Sequence, residues 1–180
     1  MKVIETRIQG LVIVELDVFE DSRGSFGEVY NQAKYQAAGI KATFVQGNLS
    51  VSKKGVLRGL HSQFANPQAK LVTCVHGEIF DVAVDLRPDS PTFGSWFGLT
   101  LSQYNRRQLY IPKDLAHGFL VLSDSARVAY SVDAYYTPGA EFAIRWDDPD
   151  LGIDWPRREG LIISDRDQAG MSFAEFRARL

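Results

Sequence analysis

Short apolar or alternating runs, each closed by a turn cluster, recur along nearly the whole chain. This rhythm constrains the fold more than any other feature. Leu11 to Phe19 reads LVIVELDVF and is closed by the turn-like Asp21-Ser22-Arg23-Gly24. Ser25 to Asn31, Thr43 to Ser52, Val56 to His61, Lys70 to Val75 and Ile79 to Leu86 read as further strands. So do Ser95 to Leu101, Gln108 to Ile111, Gly118 to Leu122, Ala126 to Val132 and Glu141 to Trp146. Period-two alternation puts Phe80, Val82, Val84 and Leu86 on one strand face and Asp81, Ala83 and Asp85 on the other. His76-Gly77-Glu78 reads as a hairpin loop between two of these strands. Helical signal is sparse. Gln32 to Ala38 suits a helical turn or two stopped by Gly39, and Ser172 with Glu175 has capping-box spacing ahead of a C-terminal helix. Many short strands with Gly and Pro turns predict a β-sandwich, jelly roll or barrel, and the pattern alone does not choose among them.

The 180 residues correspond to one domain, 1–180, at ~150 residues per domain. No linker, repeat or low-complexity segment divides them. With 45% hydrophobic and 23% charged residues the composition is globular. Such a domain buries roughly 70% of its unfolded surface and needs no disulfide or metal to hold a core. The 20 basic and 22 acidic residues leave a net charge of -2, so nothing global points to nucleic acid or an anionic membrane. Cys74 is the single cysteine, which excludes an intrachain disulfide and suits a reducing compartment. No apolar run approaches the ~18 residues of a membrane span. Met1 to Gly10 lacks a signal peptide's apolar stretch, so the expected setting is cytoplasmic.

Polar chemistry concentrates in Lys54 to His61, KGVLRGLH. Two glycines bracket Arg58, and glycine inside a strand marks a bulge or a close backbone approach. Arg58 with His61 suits a site that holds an anion and moves a proton, or else a sheet-edge arginine and a core histidine. Lys70 opens an apolar strand, either as a snorkelling side chain or as a cation aimed at an oxyanion inside the fold. His117 lies between a turn and a buried strand. Tyr130 shares a face with Val128 and Val132 and is expected to be largely buried. Asp165-Arg166-Asp167 reads by default as a solvated charge cluster. The histidines are His61, His76 and His117, and Gln63 stands where a His-x-His metal pair would need its second member. No metal site is expected. The chain has no Gly-x-Ser-x-Gly elbow, P-loop or Gly-x-Gly-x-x-Gly motif, and Cys74 in apolar company reads as an inert thiol.

Together the segments spell out a family. Asp21-Ser22-Arg23-Gly24 with Phe26 and Glu28, Phe44-Val45-Gln46-Gly47-Asn48, KGVLRGLH, VAVDLRPDSPTFG from Val82, NRRQLYIPKDLAHGF from Asn105, IRWDDPDLGIDWP from Ile144 and Ser164-Asp165-Arg166-Asp167 follow in order. From about Leu11 to Asp167 the chain resembles the dTDP-4-dehydrorhamnose 3,5-epimerases, cofactor-free sugar-nucleotide epimerases of the cupin, jelly-roll type. The resemblance implies epimerisation of dTDP-4-dehydro-6-deoxy-D-glucose at C3 and C5, with a C3-only or C5-only relative as the near alternative. A metal-dependent cupin or a non-catalytic sugar-nucleotide-binding module is the distant one. It implies His61 as base with Asp167 as its carboxylate partner, Lys70 as the lysine of the site and Tyr130 as proton donor. It implies substrate contacts from Arg23, Phe26, Glu28, Gln46, Asn48, Arg58, His117, Glu141 and Arg166, with Tyr136 stacked on the thymine. It further implies a homodimer whose N-terminal strands cross, which puts Arg23, Phe26 and Glu28 in the partner's site. The chain departs from the family pattern at Gly47 and Leu49, where Asp and His are usual, and at Ser62, where an aromatic follows the catalytic histidine. Arg166 replaces the usual lysine, which keeps the charge and changes its geometry.

Overall fold

The computed structural model describes residues 1–180. In chain order the elements are β1 (Lys2–Glu5), β2 (Val12–Glu15), β3 (Phe19–Asp21), β4 (Gly24–Phe26), α1 (Gln32–Ala37), β5 (Gln46–Lys53), β6 (Leu57–Gln63), β7 (Lys70–His76) and β8 (Glu78–Asp85). They continue as β9 (Trp96–Ser102), β10 (Arg107–Ile111), β11 (Leu115–Val121), β12 (Ser125–Val132), β13 (Glu141–Ala143), α2 (Asp165–Gln168) and α3 (Phe173–Arg177). One sheet has six strands in the order β1-β2-β10-β7-β12-β5 and a second has five in the order β13-β6-β11-β8-β9. Every pairing in them is antiparallel. The two sheets stack as an open, cupin-like jelly-roll sandwich, so the architecture left undecided by the strand pattern is a sandwich rather than a closed barrel.

The sandwich follows from which faces are apolar. Val72, Cys74, Leu109, Ile111, Ala126 and Val128 of the first sheet meet Ile79, Ala83, Leu101, Leu115 and Phe119 of the second between the layers. The outer face of the second sheet is covered by Leu151, Ile153, Trp155 and the α3 residues Phe173 and Phe176, which pack on Leu57, Leu60, Val82, Val84 and Leu120. Strand β11 is therefore buried on both faces, and all seven of its residues are buried. α3 starts where the sequence places it, with Ser172 and Glu175 closing a capping box. α1 is capped by Asn31 and ends before Gly39, whose φ is +93°.

Several boundaries differ from the sequence reading. LVIVELDVF is not one strand. β2 ends at Glu15, opposite Arg107 where its antiparallel partner β10 begins, and the chain then leaves to form a separate two-stranded ribbon of β3 and β4. Of the expected Ser25 to Asn31 segment only Ser25 and Phe26 are strand, because the ribbon's partner is short. His76-Gly77-Glu78 is a turn but not a hairpin. β7 and β8 belong to different sheets, and Gly77, at φ +75°, carries the chain between them. A Cβ there would sit 2.1 Å from the Ser125 carbonyl oxygen, so no larger residue fits. β1 and α2 were not legible as elements in the sequence.

One buried carboxylate fastens the β8–β9 connection. Asp85 is fully buried and accepts hydrogen bonds from Arg87 Nε and Nη2 (both 2.8 Å), Ser90 Oγ (2.6 Å) and Thr92 Oγ1 (2.7 Å). Burial alone would raise its pKa, but the bonds from Arg87, Ser90 and Thr92 outweigh it and hold the group down at about 2. A depressed folded-state pKa stabilises the fold above the ordinary carboxylate value, and the contribution is lost as pH falls through the folded value. Asp85→Asn should therefore cost about 2 kcal/mol near neutral pH. Denaturant titrations of both proteins should show the gap closing as pH drops from about 4 to about 2. A gap independent of pH would mean that packing, not charge, is what Asp85 supplies.

Candidate active site

Arg58 and His61 are three residues apart, a spacing that puts side chains on opposite faces of a regular strand. Here both line one cavity. Opposite them on β11, Phe119 pairs with Arg58 and His117 with His61, so β6 spends three steps where β11 spends two. The extra residue is a bulge at Gly59, whose φ is +116°. A Cβ on Gly59 would lie 2.5 Å from the Cα of Gly118, and one on Gly118 would lie 2.7 Å from the Arg58 carbonyl oxygen. The two facing glycines let the strands close and turn both polar side chains inward.

The cavity lies between the sheets, with a volume of about 450 Å³. From the second sheet it receives Arg58, His61, His117 and Glu141. The first sheet supplies Gln46, Asn48, Lys70 and Tyr130, and Tyr136 comes from the loop after β12. Period two on β5 brings in Gln46 and Asn48 and also Ser50, which the sequence reading missed although it has the same spacing. Gln46 and Asn48 bond to each other (2.9 Å), and the Gln46 side chain accepts the Tyr136 backbone N–H (3.1 Å). Arg58 Nε donates to Ser52 Oγ at 3.1 Å.

Asp167 reaches His61 from α2. Ser164 caps that helix by accepting the Asp167 N–H, so the short DRD segment coils and turns Asp167 inward to 4% exposure. Asp167 Oδ1 lies 2.7 Å from His61 Nε2, and Oδ2 accepts the Gly59 N–H at 3.1 Å. Burial works against the charged carboxylate, but the His61 and Gly59 bonds hold its pKa below the ordinary value. An ionised carboxylate only accepts, so Nε2 carries a proton, and in the neutral imidazole Nδ1 is the nitrogen with the free lone pair. Glu141 Oε1 is 3.9 Å from that Nδ1, and Arg166 pairs with the other Glu141 oxygen. The charge cluster at 165–167 is thus not wholly solvated.

Lys70 begins β7 and points its ammonium to the His61 carbonyl at 3.5 Å. Burial pushes its pKa down to about 8, against the pull of Glu141 and Asp81. Tyr130 pairs with Asn48 on one side and Val72 on the other, and burial followed by the Glu141 charge raises its phenol, with Arg58 opposing. His117 is buried, with Nε2 2.8 Å from Asp81 Oδ1, a partner the sequence did not single out. Ser62 lies outside the main cavity, in a small niche with Gln63, Gln68, Lys70, Leu115, Tyr136 and Glu141.

Four expected contacts are elsewhere, and one of them, Arg166, lines a separate groove between β13 and α2. Arg23, Phe26 and Glu28 lie on or just after the β3–β4 ribbon and do not line this cavity. Phe26 is 72% exposed beside its cross-strand neighbour Phe19 at 67%. Arg23 bonds Asp21, and Glu28 pairs with Lys34 at 2.8 Å. No three His, Cys, Asp or Glu side chains are placed to hold a metal ion. Cys74 is buried, and burial pushes its thiol up to about 11, consistent with an unreactive group. No helix is long and apolar enough to cross a membrane.

A family model described as dTDP-4-dehydrorhamnose 3,5-epimerase matches residues 5–175. The enzyme of that name from Methanothermobacter thermautotrophicus is 51% identical over 167 residues, covering 92% of this chain and 90% of the relative. The crystal structure of a dTDP-6-deoxy-D-glucose-3,5-epimerase from Legionella pneumophila, in complex with dTDP-4-keto-L-rhamnose, superposes with a TM-score of 0.93 at 48% identity. That match covers 97% of this chain and 96% of the other. ChmJ, a 3'-monoepimerase from Streptomyces bikiniensis in complex with dTDP-quinovose, superposes with a TM-score of 0.89 at 34% identity, over 97% and 89% of the two chains. The fold, the cavity and these likenesses lead to one conclusion: the chain is an isomerase belonging to the dTDP-4-dehydrorhamnose 3,5-epimerase family.

Proposed function

We propose that the protein inverts C3 and C5 of dTDP-4-dehydro-6-deoxy-D-glucose, giving dTDP-4-dehydro-L-rhamnose, by proton transfer through an enolate. The observation that carries this reading is the His61–Asp167 pair opening on the same cavity as Lys70 and Tyr130. Carbons flanking the C4 ketone are weakly acidic. Removing a proton at neutral pH suits an imidazole whose other nitrogen is fixed by a carboxylate. The electron pair moves onto the C4 oxygen, and the Lys70 ammonium, still mostly protonated at neutral pH with a pKa of about 8, faces the developing charge in a water-poor cavity. Tyr130 returns a proton from the opposite face. No hydride moves, so the chemistry asks for no nicotinamide.

Arg58, Gln46, Asn48 and His117 would hold the diphosphate and sugar, Glu141 and Arg166 would border them, and Tyr136 would stack on the thymine. These contacts form in ground and transition state alike and contribute mainly by positioning. A monoepimerase is the second reading, favoured by the likeness to ChmJ. Incubation with the ketosugar nucleotide in heavy water decides between them. Deuterium at both C3 and C5 supports the first reading, deuterium at one centre the second, and deuterium at neither overturns both.

A homodimer belongs to the same proposal. The exposed Phe19–Phe26 ribbon carries Arg23 away from this chain's own cavity, and Leu49 and Val51 leave an apolar outer surface on the edge strand β5. Arg23→Ala should raise KM about tenfold, the loss expected for one charge-assisted contact of ~1.4 kcal/mol, with the dimer mass unchanged. A monomeric mass at micromolar concentration with full activity would refute both the assembly and the cross-subunit role.

A further inference from the structure

Inversion by a two-residue acid–base pair leaves a debt of protons in the wrong place. After one inversion His61 carries the abstracted proton and Tyr130 has lost its own. Neither can act again until both are reset, and inversion of two centres needs the reset midway. The cavity contains one group suited to it. Glu141 borders three spaces: the main cavity, the niche of about 30 Å³ beside Lys70, and a groove of about 550 Å³ between β13 and α2. No other residue lining these spaces borders all three. The groove opens to the surface along Arg166, Glu175 and Arg179. The niche exceeds the ~10–15 Å³ a water molecule needs, and it is walled by polar groups that include Gln63, whose buried Oε1 has no protein partner.

Resting on the proposed epimerisation, we infer that Glu141 is the proton relay that clears His61 between inversions. Its Oε1 faces the His61 nitrogen that Asp167 leaves open, at 3.9 Å, a span closed by one water or a small carboxylate rotation. The proton leaves imidazolium Nδ1, the N–H bond breaks, and an O–H bond forms on Glu141. That proton then passes to water or buffer in the outer groove. Tyr130 phenolate takes a proton from water through the cavity mouth, so charge and protons balance over the cycle. Arg166 holds the second Glu141 oxygen toward the outer groove, which leaves Oε1 as the one turned to His61. His61, Lys70, Tyr130 and Arg166 are the charged or titratable groups whose effects meet at this carboxylate.

Glu141→Gln keeps the shape and removes the acceptor. In dilute buffer its steady-state turnover should fall by about 10²-fold, the lower end of the range for a lost proton-transfer group. It should rise again with imidazole concentration, and sugar inverted at one centre should accumulate. Deuterium loss from saturating C-deuterated substrate in a single turnover, with enzyme in excess, should fall far less than the steady state, because the first proton transfer needs no reset. Glu141→Ala gives an independent check, since added formate should restore its turnover saturably. Arg166→Lys should alter KM without making turnover buffer-dependent. If Glu141→Gln slows the single turnover as much as the steady state, or neither Glu141 variant responds to imidazole or formate, the relay is wrong and Glu141 serves binding or packing. Failure of the underlying epimerisation looks different: the wild type itself would take up no deuterium at C3 or C5.

Discussion

His61→Asn is expected to lower turnover by about 10³-fold or more while dTDP binding persists, the loss appropriate to a missing general base. Asparagine is shorter than histidine and its amide falls at the Nδ1 position, so the bond from Nε2 to Asp167 is given up while a polar head still faces the cavity. The Gly59 N–H to Asp167 bond is untouched, which protects the fold. What disappears is a lone pair that can take a proton near neutral pH. Calorimetric titration with dTDP and the rate of C3 and C5 deuterium exchange separate the two consequences. Binding retained with exchange abolished supports the base assignment. Exchange near the wild-type rate would remove His61 from that role, and loss of both would point to a folding defect.

Much of this site was legible in the sequence because local rules govern it. Alternation placed Tyr130 on the inner face of β12, and the paired glycines around Arg58 announced an irregular strand before its shape was known. The Ser172–Glu175 capping box predicted the start of α3. Where the structure departs, long-range contacts decide. The Asp165-Arg166-Asp167 run looks solvated by composition, and only a partner 106 residues away makes burying Asp167 favourable. The Gly77 turn was readable, but whether a turn joins two strands of one sheet or passes between sheets depends on which strands later pair with each. Asp81 was legible only as a member of a strand face, because its value lies in meeting His117 across the β8–β11 pair. The family resemblance supplied Asp167 as the partner of His61 and Tyr130 as the donor opposite it, which spacing alone did not.

Tyr130→Phe should split exchange from inversion. The ring still fills its place between Asn48 and Val72 on neighbouring strands, so the fold should hold. His61, Asp167 and Lys70 are unchanged and can still form the enolate. The intermediate then has one proton source, the imidazolium on the face that was deprotonated. Protons exchanged with solvent there return with configuration retained. Net inversion should therefore fall by at least about 10²-fold, in the range for a lost general acid, while deuterium continues to enter the substrate. The wild type should show uptake and inversion together. A Tyr130 whose hydroxyl only satisfies a structural contact predicts the reverse: a stability loss of about 1 kcal/mol with inversion intact. Its raised pKa fits the donor role, since a buried phenol beside Glu141 keeps its proton until a strong base such as an enolate carbon arrives. The deciding quantity is the ratio of deuterium uptake to inverted product, read by NMR at C3 and C5. If that ratio equals the wild type's, Tyr130 is not the acid and another group delivers the second proton.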